Sequence, residues 1–274
     1  IPTFKREEQL IKILDSLNNQ LNERLNIEVI VCDSFSNYDV SKFPKLKENF
    51  KLLILNTKKN VLSFKRNYGI YKASNTNLIL IDDDCIPAKN FLDIYLNDFK
   101  NLDQRTILSG VVDYPDEYLK NSKYIKFRNS KHFKEINIDL KKNLPPNKVV
   151  AMNMGFKKTQ ELISAGLFDE RFLGYGFEDY EFAFRYKQKG FKLKKTKAKI
   201  LHDEGKPVFE KYLKKYYHLG RDGMKNLLTI NNISAKDTIY YKIEKNFFFQ
   251  FFSKIAGCKF FLKLIENFVI TIDK

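Results

Sequence analysis

The sequence predicts an α/β fold: a mostly parallel sheet flanked by helices, with a helical extension behind it. Between Ile1 and His202, short apolar runs end repeatedly in polar turns, as buried strands do. The stretches between them place apolar residues at i, i+3, i+4 and i+7, as helices packed on a sheet do. Strands and helices alternating in this way wind into a largely parallel sheet with helical crossovers. The 274 residues, 43% hydrophobic and 15% aromatic, suffice for a core of that kind plus an appendage and exclude a mainly disordered chain.

Ile1-Pro2-Thr3-Phe4 reads as the end of a strand whose earlier part would precede Ile1. Leu10, Ile13, Leu14, Leu17 and Leu21 form the buried stripe of a helix over 6–21. A buried strand follows over 28–32 and ends at Asp33-Ser34, with Ser36 and Asn37 completing a polar turn. A strand over 51–55, a helix over 63–73 and a strand over 78–81 come next. That last strand runs directly into Asp82-Asp83-Asp84-Cys85. After Pro87, Ala88, Phe91, Leu92, Tyr95, Leu96 and Phe99 repeat at helical spacing, and 107–112 is again a strand. Residues 114–147 are polar, basic and aromatic with Pro115, Pro145 and Pro146, so an irregular surface insertion is expected, of the kind that can cover a substrate. A strand over 148–154 and a short helix over 159–165, stopped by Gly166, complete this part.

Gly174 and Gly176 permit tight turns before a helix over 178–189, closed by Gly190. An edge strand over 191–200 then leads to His202-Asp203-Glu204-Gly205. From Pro207 the composition changes to helical, Lys-rich and aromatic, without another acidic constellation. Its last part, 246–272, mixes many Phe with Lys254, Lys259 and Lys263, a pattern suited to an anionic membrane interface, to the protein's own core or to a subunit contact.

Three acids at a strand end are the strongest chemical signal. In an open α/β sheet the ligand crevice lies at the carboxyl ends of strands, so Asp82, Asp83 and Asp84 stand where a cation and a phosphate ester could meet. They could equally cap the following helix. Glu178, Asp179 and Glu181 in a first helical turn suit the helix dipole as well as chemistry. The formal charge of +16 and pI near 9.5 favour anionic partners without choosing among nucleotide phosphates, acidic glycans, lipid and nucleic acid. Cys32, Cys85 and Cys258 are widely spaced, as expected of reduced thiols in a cytoplasmic protein, and no uncharged apolar run is long enough to span a membrane.

Five segments, in order, carry a family resemblance: Ile1-Pro2-Thr3-Phe4, Val31-Cys32-Asp33-Ser34, Ser63 to Ile70, Ile81 to Pro87, and Gly174-Tyr175-Gly176-Phe177-Glu178-Asp179. They resemble the IPTYN, VDDGS, ARN-x-G-I, DxD and GWGxED segments of family 2 glycosyltransferases with the GT-A fold, the last in its galactosyltransferase and chondroitin-polymerase form. Cys32, Lys5 and Tyr175 depart from the pattern, and the chain has no Trp. The resemblance implies a catalytic domain over 1–205 with 206–274 as its extension. It further implies that Asp84, Asp82 and His202 hold Mn2+ or Mg2+, and that Pro2, Thr3, Phe4, Asp33, Arg66, Asp82 and Asp83 bind a UDP-sugar. Asp179 would be the general base of an inverting transfer, with Glu178 orienting the acceptor, a glycan or lipid-linked oligosaccharide in cell-surface polysaccharide synthesis. The enzyme would sit in the cytoplasm or on the inner face of the membrane, touching anionic lipid through 246–272.

Structural readings stand beside these: Asp33 as a turn former, Arg66 as a surface helix residue, His202 as a satisfied surface or core residue. A nucleotidyltransferase would also use strand-end acids with a metal, but an early glycine-rich phosphate loop is missing. A nucleic-acid-binding protein would alternate aromatic and basic residues on an exposed strand face. Here the aromatics fall mostly at helical spacing, so no nucleic acid is expected.

Overall fold

The computed structural model describes residues 1–23, 25–35, 38–132, 134, 142–174, 176–205, 208–219, 223 and 226–227. Ser36, Asn37, Tyr175, Pro207 and the segment 246–272 lie outside the described residues. The chain divides into two compact units. One comprises Ile1–Pro115, His132–Leu173 and Glu178–Glu204; the other comprises Asp116–Lys131, Gly174–Phe177 and the described residues from Gly205 onward.

The strands are β1 (Pro2–Thr3), β2 (Ile27–Asp33), β3 (Phe50–Asn56), β4 (Asn77–Ile81), β5 (Cys85–Pro87), β6 (Thr106–Asp113), β7 (Asn153–Lys157) and β8 (Lys192–His202). The helices are α1 (Glu7–Asn19), α2 (Leu62–Lys72), α3 (Phe91–Lys100), α4 (Asp116–Asn121), α5 (Lys123–Ser130), α6 (Gln160–Ser164), α7 (Glu178–Gln188) and α8 (Phe209–His218). All the described strands belong to the first unit, in two sheets. One is parallel, in the order β1-β2-β3, and the other is mixed, in the order β4-β7-β6-β8-β5. In the parallel set α1 makes the crossover from β1 to β2, while the connection from β2 to β3 holds the 3-10 turn Val40–Lys42; α2 leads from β3 into the mixed sheet. In the mixed sheet β6 and β8 run parallel, while β7 lies antiparallel to β4 and β6. The direction of β7 follows from its connections rather than its side chains, which is why it was not legible in the sequence.

Two clusters of buried apolar residues hold the first unit. The stripe of α1 (Leu10, Ile13, Leu14 and Leu17) packs with Phe91, Leu92, Tyr95 and Phe99 of α3 against Val29, Val31, Leu108 and Ile200. Phe182, Ala183 and Tyr186 of α7 pack with Leu162 of α6 and Ile70 of α2 against Leu80, Met154, Phe156 and Leu193. Each buried Leu or Phe contributes roughly 1.5–3 kcal/mol.

Three expectations are corrected. The segment 114–147 is not wholly irregular, since it begins with α4 and α5, and Ser122 caps α5 by accepting from the Ile125 N–H at 3.3 Å. The strand expected over 148–154 forms later, as β7, because Pro145 and Pro146 open a 3-10 turn at Pro146–Lys148. Finally, β8 is not an edge strand: β6 flanks it along its length and β5 pairs with its last residues. In the second unit Tyr124 of α5 packs on Phe209 and Tyr212 of α8, with ring centroids 5.6 and 5.5 Å apart, and Arg128 lies over the Tyr212 ring. No helix among the described residues is long and apolar enough to cross a membrane.

Candidate functional site

The carboxyl ends of β2 and β4 carry Asp33 and the run Asp82-Asp83-Asp84. β1 pairs with β2 so that Pro2 stands level with Cys32 and Thr3 with Asp33. The Asp33 side chain is 1% exposed. Its Oδ2 accepts from the Tyr38 hydroxyl, while its Oδ1 lies 4.0 Å from Lys65 Nζ with no hydrogen-bond partner. Burial and the Asp33 bond both raise the Tyr38 hydroxyl above its usual pKa. Lys65 is itself buried; it donates to the Thr3 carbonyl at 2.6 Å and to Asn60 Oδ1 at 2.6 Å, and burial lowers its pKa against the pull of Asp33. A buried carboxylate oxygen still lacking a donor can accept an N–H or O–H from a ligand. Phe4, 42% exposed, stands edge-on to Phe35 with centroids 6.5 Å apart, and Lys5 Nζ lies 5.4 and 5.0 Å from the two rings.

The short β5 brings the second group together. Its antiparallel pairing places Cys85 level with His202, and the Asp203 N–H donates to the Asp84 carbonyl at 2.7 Å. His202 Nε2 therefore lies 3.3 Å from Asp84 Oδ1 and 3.4 Å from Glu204 Oε1, while Nδ1 lies 3.4 Å from the Tyr114 hydroxyl. Ligand atoms of Asp84, Cys85 and His202 all fall within 4.8 Å of one another. A carboxylate oxygen and an imidazole nitrogen are suitable donors for Mn2+. Cys85 is the poorer third donor, because it is fully buried among apolar residues and burial holds its thiol well above the usual pKa.

Arg6 supplies positive charge at this spot, with its Nη1 2.7 Å from Asp84 Oδ2 and 3.2 Å from Asp83 Oδ1. Burial tends to raise the Asp84 carboxyl, but the His202 ring and Arg6 beside it outweigh that and hold it well below the carboxylate range. Asp83 is pushed up to about 6, first by burial and then by the charges of Asp84 and Asp82, against the opposing pull of Arg6.

Asp82 is held separately. The buried Arg66 donates through Nη2 to both of its oxygens, at 2.8 and 3.1 Å, and through Nη1 to Glu178 Oε1 at 2.9 Å. Despite its burial, Arg66 is kept firmly charged by these two acids. Its guanidinium therefore ties the end of β4 to the first turn of α7. Asp179 follows Glu178 in that turn, and burial together with the Glu178 charge pushes its carboxyl up to about 7.

Pro2, Thr3 and Asp33 thus lie together at one strand end, and Asp84 lies with His202. Arg66 bridges Asp82 and Glu178, so neither its Nη1 nor its Nη2 is directed solely at a ligand. Sequence reasoning missed Arg6, Lys65, Tyr38, Tyr114 and Glu204. The His-x-Glu spacing could have found Glu204, and the position of Arg6 just past Phe4 could have found Arg6; Tyr38 and Tyr114 meet their partners only through the fold.

The family model described as Glycosyl transferase family 2 matches residues 1–162. An uncharacterized glycosyltransferase of Bacillus subtilis (strain 168), YfnE, is 25% identical over 251 residues; the match covers 74% of this chain and 64% of that protein. The chain therefore matches less than two thirds of that curated relative. Among solved structures, the mannosyltransferase PcManGT from Pyrobaculum calidifontis, in complex with GDP-Man and Mn2+, has a TM-score of 0.59 at 18% identity, covering 82% of this chain and 62% of that one. GalNAc-T7 with UDP, GalNAc and Mn2+ has a TM-score of 0.51 at 15% identity, covering 78% and 47%. At these identities the likeness is one of fold.

Proposed function

The chain belongs to glycosyl transferase family 2, and from that premise we propose that it is a metal-dependent, inverting glycosyltransferase. Its donor is a UDP-sugar carrying a hexose or N-acetylhexosamine, and its acceptor a glycan or lipid-linked oligosaccharide. The observation that carries this reading is the approach of His202 Nε2 to Asp84 Oδ1, 3.3 Å apart where β4 and β8 end. A strand-end carboxylate and an imidazole from a distant part of the chain are built into one site. That both solved structures bear a nucleotide or nucleotide sugar with Mn2+ in their descriptions supports it.

Asp84 and His202 would hold the divalent cation, with Glu204 beside the His202 ring, while Asp82 stands apart with both oxygens on Arg66. When bound, the cation supplies Lewis-acid neutralisation of the departing diphosphate. Asp33 Oδ1 would accept from the uracil imide, and Phe4 with Pro2 and Thr3 would wall the base. Asp83 would face the ribose. Arg66 ties Asp82 to Glu178 and would fix the turn that presents Asp179. Asp179 would take the acceptor hydroxyl proton as that oxygen attacks the anomeric carbon from the face opposite the nucleotide. A base poised near the working pH is efficient, and burial has moved Asp179 there.

Calorimetric binding of UDP, GDP and CMP, with and without Mn2+, tests the proposal on wild type and Asp84→Ala. UDP binding that needs Mn2+ and is lost in the variant is the expected result. Equal affinity in the two proteins would sink the metal assignment, and full transfer by Asp179→Asn would sink the assignment of the base.

A further inference from the structure

The backbone of Arg6 is fixed, while its side chain is left partly open. Left-handed backbone at Lys5 (φ 55°) turns the chain after β1, and Arg6 then begins α1, its carbonyl accepting from the Leu10 N–H at 3.0 Å. The buried stripe that starts at Leu10 anchors this helix, and Lys12 reaches Asp203 Oδ2 at 3.1 Å, so one face of α1 borders the strand ends.

Only one nitrogen of the Arg6 guanidinium is engaged. Nη1 lies 2.7 Å from Asp84 Oδ2 and 3.2 Å from Asp83 Oδ1, whereas Nε and Nη2 make no hydrogen bond among the described residues, and the side chain is 42% exposed. Burial opposes its charge, but Asp83, Asp84 and Glu204 outweigh burial. The two oxygens of Asp84 are thereby divided: Oδ1 faces His202 Nε2 at 3.3 Å and Oδ2 faces Arg6. An arginine acting only as a staple between carboxylates turns more of its fork to them, as Arg66 does with Asp82 and Glu178. The fork that Arg6 leaves open matches phosphate oxygens, which planar guanidinium donors meet in pairs.

We propose that Arg6 is the chain's own contact to the diphosphate of the donor, a reading that rests on the UDP-sugar assignment above. Nη1 stays on Asp84 Oδ2, leaving Oδ1 to His202 and the cation, while Nε and Nη2 donate to phosphate oxygens. As the acceptor oxygen bonds the anomeric carbon, the bond from that carbon to the diphosphate breaks and its electron pair stays on the diphosphate oxygen; the acceptor proton goes to Asp179. Arg6 stabilises the negative charge so added to the leaving group. It also makes cation and donor interdependent. A divalent cation and a guanidinium on one carboxylate repel each other, and an anion lying between them is drawn to both. Each ligand therefore binds more tightly with the other present.

Calorimetry and Mn2+ paramagnetic resonance on wild type, Arg6→Met and Arg6→Lys test this. In Arg6→Met, Mn2+ alone should bind at least about 5-fold tighter, while UDP at saturating Mn2+ binds at least about 10-fold weaker and uridine, which carries no phosphate, changes by less than about 2-fold. Arg6→Lys keeps the charge and loses the fork, so it should return Mn2+ to its wild-type affinity and recover only part of the UDP binding; it also keeps the test standing if Arg6→Met does not fold. A staple alone would lower the melting temperature and leave all three affinities unchanged. That result would overturn the proposal, as would Mn2+ and UDP weakening together in Arg6→Met, or full UDP binding by Arg6→Lys. A wild type that binds Mn2+ but no UDP would instead overturn the donor assignment, and this inference with it.

Discussion

Asp179 and Lys5 show how single residues hold opposed demands. Asp179 binds its proton more tightly in the folded chain, with a carboxyl at about 7 against an ordinary 3.8. Such a raised acid favours folding at low pH, and this contribution is lost as pH rises from about 4 through 7. Asp179→Asn removes the titration, so its melting temperature should exceed that of wild type by a margin that opens over this window and levels above it. At 1.36 kcal/mol per unit the margin corresponds to at most about 4 kcal/mol. The same substitution should lower kcat/KM by about 10²–10⁴-fold, and wild-type kcat/KM should rise with pH through about 7 as the base is freed. A variant that is more stable and yet inactive separates a chemical role from a structural one. Lys5 has φ 55°, left-handed backbone that costs a non-glycine residue about 1 kcal/mol, whereas Asn, which the family resemblance would place there, adopts it more readily. Its ammonium lies over Phe4 and Phe35, contacts worth about 0.5–1 kcal/mol each at exposed sites. The two effects nearly cancel. Lys5→Asn should therefore leave the melting temperature almost unchanged, while Lys5→Ala, which keeps the strain and loses the contacts, should lower it; a reversed order in thermal melts would show that the cation-π contacts contribute nothing.

At the scale of elements, the irregularity in β6 aligns the candidate site. Ser109 stands level with Lys195, but after Gly110 the register moves by two residues, so that Val111 meets Lys199 and Asp113 meets Leu201. Tyr114 is consequently level with His202 and meets its ring; without the shift it would stand at Ile200, about 7 Å away along the strand. Gly110 permits this because a Cβ there would lie 2.2 Å from Asn153 Nδ2 and 2.5 Å from the Ala198 carbonyl oxygen. Asn153 cannot retreat, since it is buried and bonds the Val111 and Ala198 carbonyls and the Tyr95 hydroxyl. Gly110→Ala should cost about 2–3 kcal/mol in chemical denaturation, whereas Gly174→Ala, with open space around it, should cost less than about 0.5 kcal/mol. The strands and helices around this feature were legible because each carries its own periodicity, as in the α1 stripe of Leu10, Ile13, Leu14 and Leu17. Asp82, Asp83 and Asp84 were legible because they interrupt an apolar run. The bulge, the three-residue β5 and the mixed direction of the second sheet were not, because they are set by pairing between distant segments. For the same reason Arg66 reads in sequence as a helix residue facing a ligand, although the fold directs it into two carboxylates.

For the whole molecule, the question is whether its charge of +16 or its acidic strand ends choose the anion. A diffuse cationic surface binds a polyanion by releasing counterions, so the affinity for an oligonucleotide should fall about 10³-fold or more between 50 and 200 mM salt if six or more phosphates are neutralised. The site at β2 and β4 has a different physics. Asp33 Oδ1 is buried, and Asp84 and His202 converge below the surface, where salt screens weakly. UDP with Mn2+ presents little net charge to such a site and should lose less than about 10-fold over the same range. Saturating UDP and Mn2+ at 100 times Kd should stabilise the fold by about 2.7 kcal/mol, a gain of a few degrees for a chain of this size. Asp84→Ala should lose the Mn2+-dependent part of that shift and leave the weak, salt-sensitive oligonucleotide binding intact. Were both ligands to show the steep salt dependence, the lysines and not the strand ends would be the functional surface; if UDP binding stays flat in salt and vanishes with Asp84, the positive charge serves at most to gather anions around a site whose selectivity comes from a few buried oxygens and one imidazole.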